Sequence, residues 1–96
     1  MSKTVLYYRQ QKNESVENSI ENVKKTIKNL ETTHKIIGVF LDSYNDQNQL
    51  NELLNFPLQE IDLLYTNHYF DDEFDNQLIN QLAKAEQFSV KYFDKI

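Results

Sequence analysis

Five polar residues stand at the ends of apolar runs in this 96-residue chain, where a reacting or binding group would be placed: Arg9, Gln11, Asp42, Asn67 and His68. Arginine presents five N–H donors in a planar fork that fits a carboxylate or a phosphate. An aspartate or a histidine beside it can carry a proton to or from a bound group. Each also has an ordinary role. Arg9 falls near Asp42 and Asp46, and an arginine at a strand end usually forms a partly exposed ion pair. His68 in "TNHYF" has no serine, cysteine or acid spaced to complete a triad, so it reads as a solvent-facing loop histidine. Tyr8 is a possible nucleophile, but no neighbour that would lower its pKa is evident. The acids of "FDDEFD" lack the alternating spacing and the glycine of a calcium loop and suit the first turn of a helix. No metal site is expected.

Glycine narrows the options further. Gly38 is the only one, and it lies inside an apolar run. A glycine-rich loop that brings phosphates against backbone amides is therefore absent, which excludes nucleotide binding of that type. No cofactor is expected.

The elements that must position these residues are legible from periodicity. "TVLYY" (4–8) reads as a buried strand. Val16, Ile20, Val23, Ile27 and Leu30 recur at helical steps, with Ser15 as N-cap and Glu17 and Glu21 toward the positive end of the helix dipole. Ile36 to Leu41 is a continuous apolar run, the pattern of a strand covered on both faces. Asp46 and Gln49 resemble a capping box before Leu50, Leu53 and Leu54, and Pro57 stops that short helix. "EIDLLYTN" (60–67) reads as a third strand. A helix then carries Phe74, Leu78, Leu82 and Ala85 on one face, and "FSVKYFDKI" (88–96) reads as a fourth strand.

The order β-α-β-α-β-α-β predicts an α/β fold of three layers, α/β/α, around a mostly parallel four-stranded sheet. Right-handed crossovers bring the C-terminal ends of all the strands to one edge, where open α/β sheets bind ligands. That edge would gather the five residues named above.

The whole chain, residues 1–96, makes one small domain, expected to bury about 60–65% of its unfolded surface. With no cysteine, disulfide scaffolds and thiolate metal sites are excluded and a reducing cytoplasm fits. No stretch has the length of a signal peptide core or a membrane span, so a soluble, cytoplasmic protein is expected. The net charge is −5, and Arg9 is the single arginine beside nine scattered lysines. Nucleic acid is held mainly through clustered cations, so autonomous binding to DNA or RNA is not expected.

The first two units resemble the catalytic domain of the serine recombinases, the resolvase/invertase family. There a first strand ends in Tyr-x-Arg-x-Ser, and here Tyr7-Tyr8-Arg9-Gln10-Gln11 is followed by "SVENSIENVKKTIKNL", which is similar to the family's next helix. "IIGVFLDSYNDQNQLNELL" looks like the second strand, acidic loop and helix. "IDLLYTNHYFDDEFDNQLINQLAKAEQFSVKYFD" looks like the remainder. The resemblance implies a resolvase-like fold, and it implies that Gln11 occupies the nucleophile position. A carboxamide cannot attack a DNA phosphate, and the loops at 43–50 and 67–75 lack the family's further arginines. The family continues into a long dimerisation helix and a DNA-binding domain that have no counterpart in these 96 residues.

Residues and resemblance together lead to the expectation of a catalytically inactive resolvase-like domain from a phage or mobile element. It would act through protein contacts, with a protein partner or as a homo-oligomer. Its catalytic set would be empty, and its vestigial pocket would consist of Arg9, Gln11, Asp42, Asn67 and His68. Two rival expectations stand beside it. A small enzyme would need Arg9, Asp42 and His68 to converge, and an acidic DNA mimic would need Asp42, Asp46, Asp62 and "DDEFD" on one face.

Overall fold

A computed structural model describes residues 2–67 and 73–92, with the side chains of 73–76 outside that description. The chain runs through strand β1 (Ser2–Arg9), helix α1 (Val16–Leu30), strand β2 (His34–Asp42) and helix α2 (Asn48–Leu54). A 3-10 turn (Leu58–Glu60), strand β3 (Leu63–Thr66), helix α3 (Glu73–Glu86) and strand β4 (Ser89–Tyr92) complete it. The four strands form one sheet in the order β2-β1-β3-β4, and every neighbouring pair is parallel. The fold is therefore the predicted α/β type, with an all-parallel sheet among the described residues.

Alternation along β1 divides the core in two. Val5 and Tyr7 point to one face and pack with Leu50 and Leu53 of α2, Leu58, Ile61, Leu64, and Ile79 of α3. Leu6 and Tyr8 point to the other and pack with Val23 and Ile27 of α1. One helix thus covers one face and two helices cover the opposite face, which is the three-layer arrangement. β1 is buried from Thr4 to Tyr8, as its unbroken apolar run requires.

Gly38 lies in β2 beside a register shift between β1 and β2. A Cβ there would stand 3.2 Å from Phe40, whose ring meets Phe56 edge-on at 6.0 Å. The missing side chain leaves room for this aromatic pair.

Several expected details shift. The buried face of α1 is Ser19, Val23 and Thr26, whereas Val16 and Ile20 are 58% and 40% exposed. The small Ser19 and Thr26 let the helix approach the sheet, because each hydroxyl returns a hydrogen bond to the carbonyl four residues earlier. On α3 the side chains packed on the core are Ile79, Leu82 and Ala83, while Ala85 is exposed; the Phe74 side chain lies outside the described residues. β3 begins at Leu63 rather than at residue 60, because Glu60 belongs to the 3-10 turn. The segment 93–96, expected to continue the fourth strand, lies outside the described residues.

No helix among the described residues is long and apolar enough to cross a membrane.

Candidate functional site

The sheet order makes the crevice between β1 and β3 the switch point: from β1 the chain crosses to β2 on one side, and from β3 it crosses to β4 on the other. In open α/β sheets, ligands settle at that place, outside the strand ends. Here Arg9 ends β1 and Asn67 comes directly after β3.

Asn67 bridges the crevice floor. Its Oδ1 accepts the Arg9 backbone N–H at 2.9 Å, and its Nδ2 donates to the Arg9 carbonyl at 2.9 Å. The carboxamide acts as one further peptide group, extending the β1–β3 ladder past Thr66, the last paired residue of β3.

Arg9 does not form the direct ion pair with Asp42 that the sequence suggests. The two are register partners across β1 and β2, yet the hydroxyl of Tyr7 stands between their charges. Arg9 Nε donates to the Tyr7 hydroxyl at 3.0 Å, and that hydroxyl donates to Asp42 Oδ2 at 2.6 Å. The guanidinium carbon also lies 5.7 Å from the Tyr7 ring centre, within cation–π range. Tyr7 and Arg9 are two residues apart on one strand, so both project to the same face of the sheet. Burial, followed by the hydrogen bond to Asp42, raises the Tyr7 pKa well above the ordinary tyrosine value. It stays protonated and remains a donor to Asp42.

Asp42 is buried, and its carboxylate is fully engaged. Oδ1 accepts the backbone N–H of Gln49 at 2.8 Å, and Oδ2 accepts that of Leu50 at 3.0 Å in addition to the Tyr7 hydroxyl. It therefore caps the start of α2 from a distance. The expected Asp46–Gln49 capping box does not form: the N-cap position is Gln47, which makes no side-chain cap. Asp46 instead closes a short turn by accepting the N–H of Asn48 at 3.0 Å. Sequence spacing missed this because the capping carboxylate lies at the end of the preceding strand rather than beside the helix.

The other face of β1 holds a second polar cluster. Tyr8 donates its hydroxyl to Glu14 Oε2, and Asn22 Nδ2 donates to both, at 3.1 Å to the hydroxyl and 2.9 Å to the carboxylate. Burial, with help from the Glu14 hydrogen bond, pushes the Tyr8 pKa up to about 12. That is opposite to the shift a nucleophilic tyrosine needs. Glu14 Oε1 also accepts the N–H of Gln11 at 2.8 Å, and the Glu14 N–H donates to the Gln11 carbonyl at 3.1 Å. The Gln11 backbone is thus tied into the turn that leads to α1, while the residue itself is exposed. Ser15 caps α1 through its Oγ, as expected, so it serves the helix and not the crevice.

Four of the five predicted residues are therefore described, and three of them, Arg9, Asp42 and Asn67, are joined through hydrogen bonds. Gln11 is carried on the adjacent turn. His68 lies outside the described residues, as do Tyr69, Asp71 and Asp72 and the side chains of Glu73 and Asp75. No group of His, Cys, Asp or Glu suited to a metal occurs among the described residues. Glu14 and Asn22 carry no signal in the sequence, whereas Tyr7, part of the strand-end segment Tyr7-Tyr8-Arg9, signals its place by its two-residue offset from Arg9.

One donor stays open. Arg9 Nη2 is buried and has no hydrogen-bond partner among the described residues.

No family model, no curated protein and no solved structure matches this chain.

Proposed function

We propose that this chain is a resolvase-like domain without catalytic activity that works through contacts with protein, in a phage or mobile-element setting. The observation that carries the reading is how the strand-end residues are used. Asp42 spends its carboxylate on α2 and Tyr7, and the Asn67 carboxamide is spent on the β1–β3 ladder. Gln11 supplies a carboxamide where attack on a phosphate needs a hydroxyl. The acidic balance of the chain is consistent with a protein partner rather than nucleic acid. The resemblance of the first two units supplies the family part of the proposal.

The test is incubation with supercoiled duplex DNA, then denaturing electrophoresis. The expected result is intact plasmid and no protein–DNA adduct. A covalent adduct at any residue overturns the reading.

A second reading has one observation in its favour, the open Arg9 Nη2. A buried donor without a partner costs about 1–3 kcal/mol, and an oxyanion at the crevice would satisfy it. In that reading Arg9 holds an anionic small-molecule substrate. Asp42 is poorly suited to act as its base, since three donors already occupy it. The DNA-mimic alternative finds less support, because Asp62 accepts the N–H of Lys3 at the opposite end of the sheet from Asp42.

A further inference from the structure

Helix α1 carries an ordered charge pattern along its exposed face. Glu17, Glu21, Lys24 and Lys28 are all exposed or half-exposed, and steps of four, three and four place them along one stripe of the helix. The helix dipole accounts for Glu17 in the first turn and Lys28 in the last, because its influence fades within a turn. Glu21 and Lys24 sit in the middle, beyond its reach. Within the helix, Glu17 and Glu21, and Lys24 and Lys28, are like charges at the i, i+4 spacing, whereas Glu21 has Lys24 and Lys25 as favourable neighbours three and four residues on. None of the four has a side-chain partner among the described residues.

The stripe is self-complementary. When a second α1 lies antiparallel to the first, Glu17 meets Lys28 and Glu21 meets Lys24, and the two-fold axis repeats both pairs. Apolar surface runs beside it. Val16 and Ile20 are exposed, and Val16 shares a cleft with Leu41 and Ser43 at the end of β2. Val39 of β2, 41% exposed, is the register partner of Leu6, whose side chain packs on the α1 side of the sheet. β2 is also an outer strand of the sheet. Apolar residues beside a matched set of charges form the anatomy of an isologous contact.

We propose that this flank of α1, with the adjoining edge of β2, is the docking surface for a second copy of the same chain, helix against helix and antiparallel. The proposal rests on the protein-contact reading above and gives that reading a partner and a surface.

Analytical ultracentrifugation of the full chain, from micromolar to millimolar, tests it. The wild type dimerises with rising concentration and dissociates as salt is raised. Lys24→Glu with Lys28→Glu, and separately Glu17→Lys with Glu21→Lys, each weaken self-association by about tenfold or more. An equimolar mixture of the two variants regains a 1:1 complex, because an acidic stripe then faces a basic one. Should either variant fail to fold by circular dichroism, the salt dependence of the wild type decides. A wild type that stays monomeric, a dimer indifferent to salt, or variants that dimerise as well as the wild type overturn the proposal. These failures remove this surface alone, whereas a protein–DNA adduct removes the non-catalytic reading on which it rests.

Discussion

Arg9 and Asn67 are joined across the ends of β1 and β3 by two hydrogen bonds of 2.9 Å, both of which use the backbone of Arg9 and the side chain of Asn67. The side-chain amide does the work of a peptide group where the ladder would otherwise stop. This leaves the Arg9 guanidinium to Tyr7 of its own strand, whose hydroxyl relays it to Asp42 on the neighbouring strand. The two arrangements share one residue and should respond separately to mutation.

Asn67→Asp tests the first. A carboxylate can still accept the Arg9 N–H but has no N–H for the Arg9 carbonyl, which it also repels. The expected loss is about 1–2 kcal/mol of unfolding free energy, read from urea denaturation. Amide exchange should quicken at the Arg9 N–H while the Asp42 pairs with α2 stay protected.

Asp42→Asn tests the second. The substitution keeps the shape but turns one acceptor into a donor facing the Tyr7 hydroxyl or a helix N–H. The expected cost is about 1–3 kcal/mol. Exchange should rise selectively at the Gln49 and Leu50 amides, since Asp42 is their cap.

Alkaline stability depends on Tyr7 and Tyr8. Both pKa values lie above the unfolded value of about 10. The stability they contribute is fully present below pH of about 10 and is lost as pH rises through the folded values, about 12 for Tyr8. In that window the native state holds protons that the unfolded chain has released. Urea midpoints should therefore fall between pH of about 10 and 12, and Tyr7→Phe or Tyr8→Phe should each flatten the decline.

Gln87 is a separate weak point. Its φ of 61° is left-handed, and the Phe88 N–H returns to the Ala83 carbonyl at 3.0 Å, a Schellman ending for α3. That position favours glycine. Gln87→Gly should stabilise the fold by about 0.5–1 kcal/mol, the relief of strain exceeding the added chain entropy. Thermal denaturation gives the sign.

The parallel sheet, its helices and the strand ends were legible because each rests on a local pattern, as in the Ser15 cap of α1. The apolar run of β2 marked a strand but overstated its cover, since β2 is an outer, half-buried strand with Val39 41% exposed. What local patterns missed depends on long-range geometry. Val16 and Ile20 fit the apolar stripe, but Ser19 and Thr26 make the closer approach to the sheet. The carboxylate that caps α2 comes from Asp42, which a search for adjacent caps passes over. Of the candidate residues, Arg9, Asp42 and Asn67 come together because strand ends converge at one edge of the sheet. Tyr7 was passed over because a buried aromatic in a strand looks like core until its hydroxyl is located.

The measurement that tests the central claim most directly is the NMR signal of the Arg9 Nε–H, identifiable because this is the only arginine in the chain. It should be monitored as duplex DNA and then inorganic phosphate are added. If Arg9 is a structural element bound to Tyr7, the signal exchanges slowly, is lost in Tyr7→Phe, and does not move with either addition. A signal that exchanges rapidly with water, or a shift that saturates with DNA or phosphate, would contradict the account and make Arg9 an anion-binding residue.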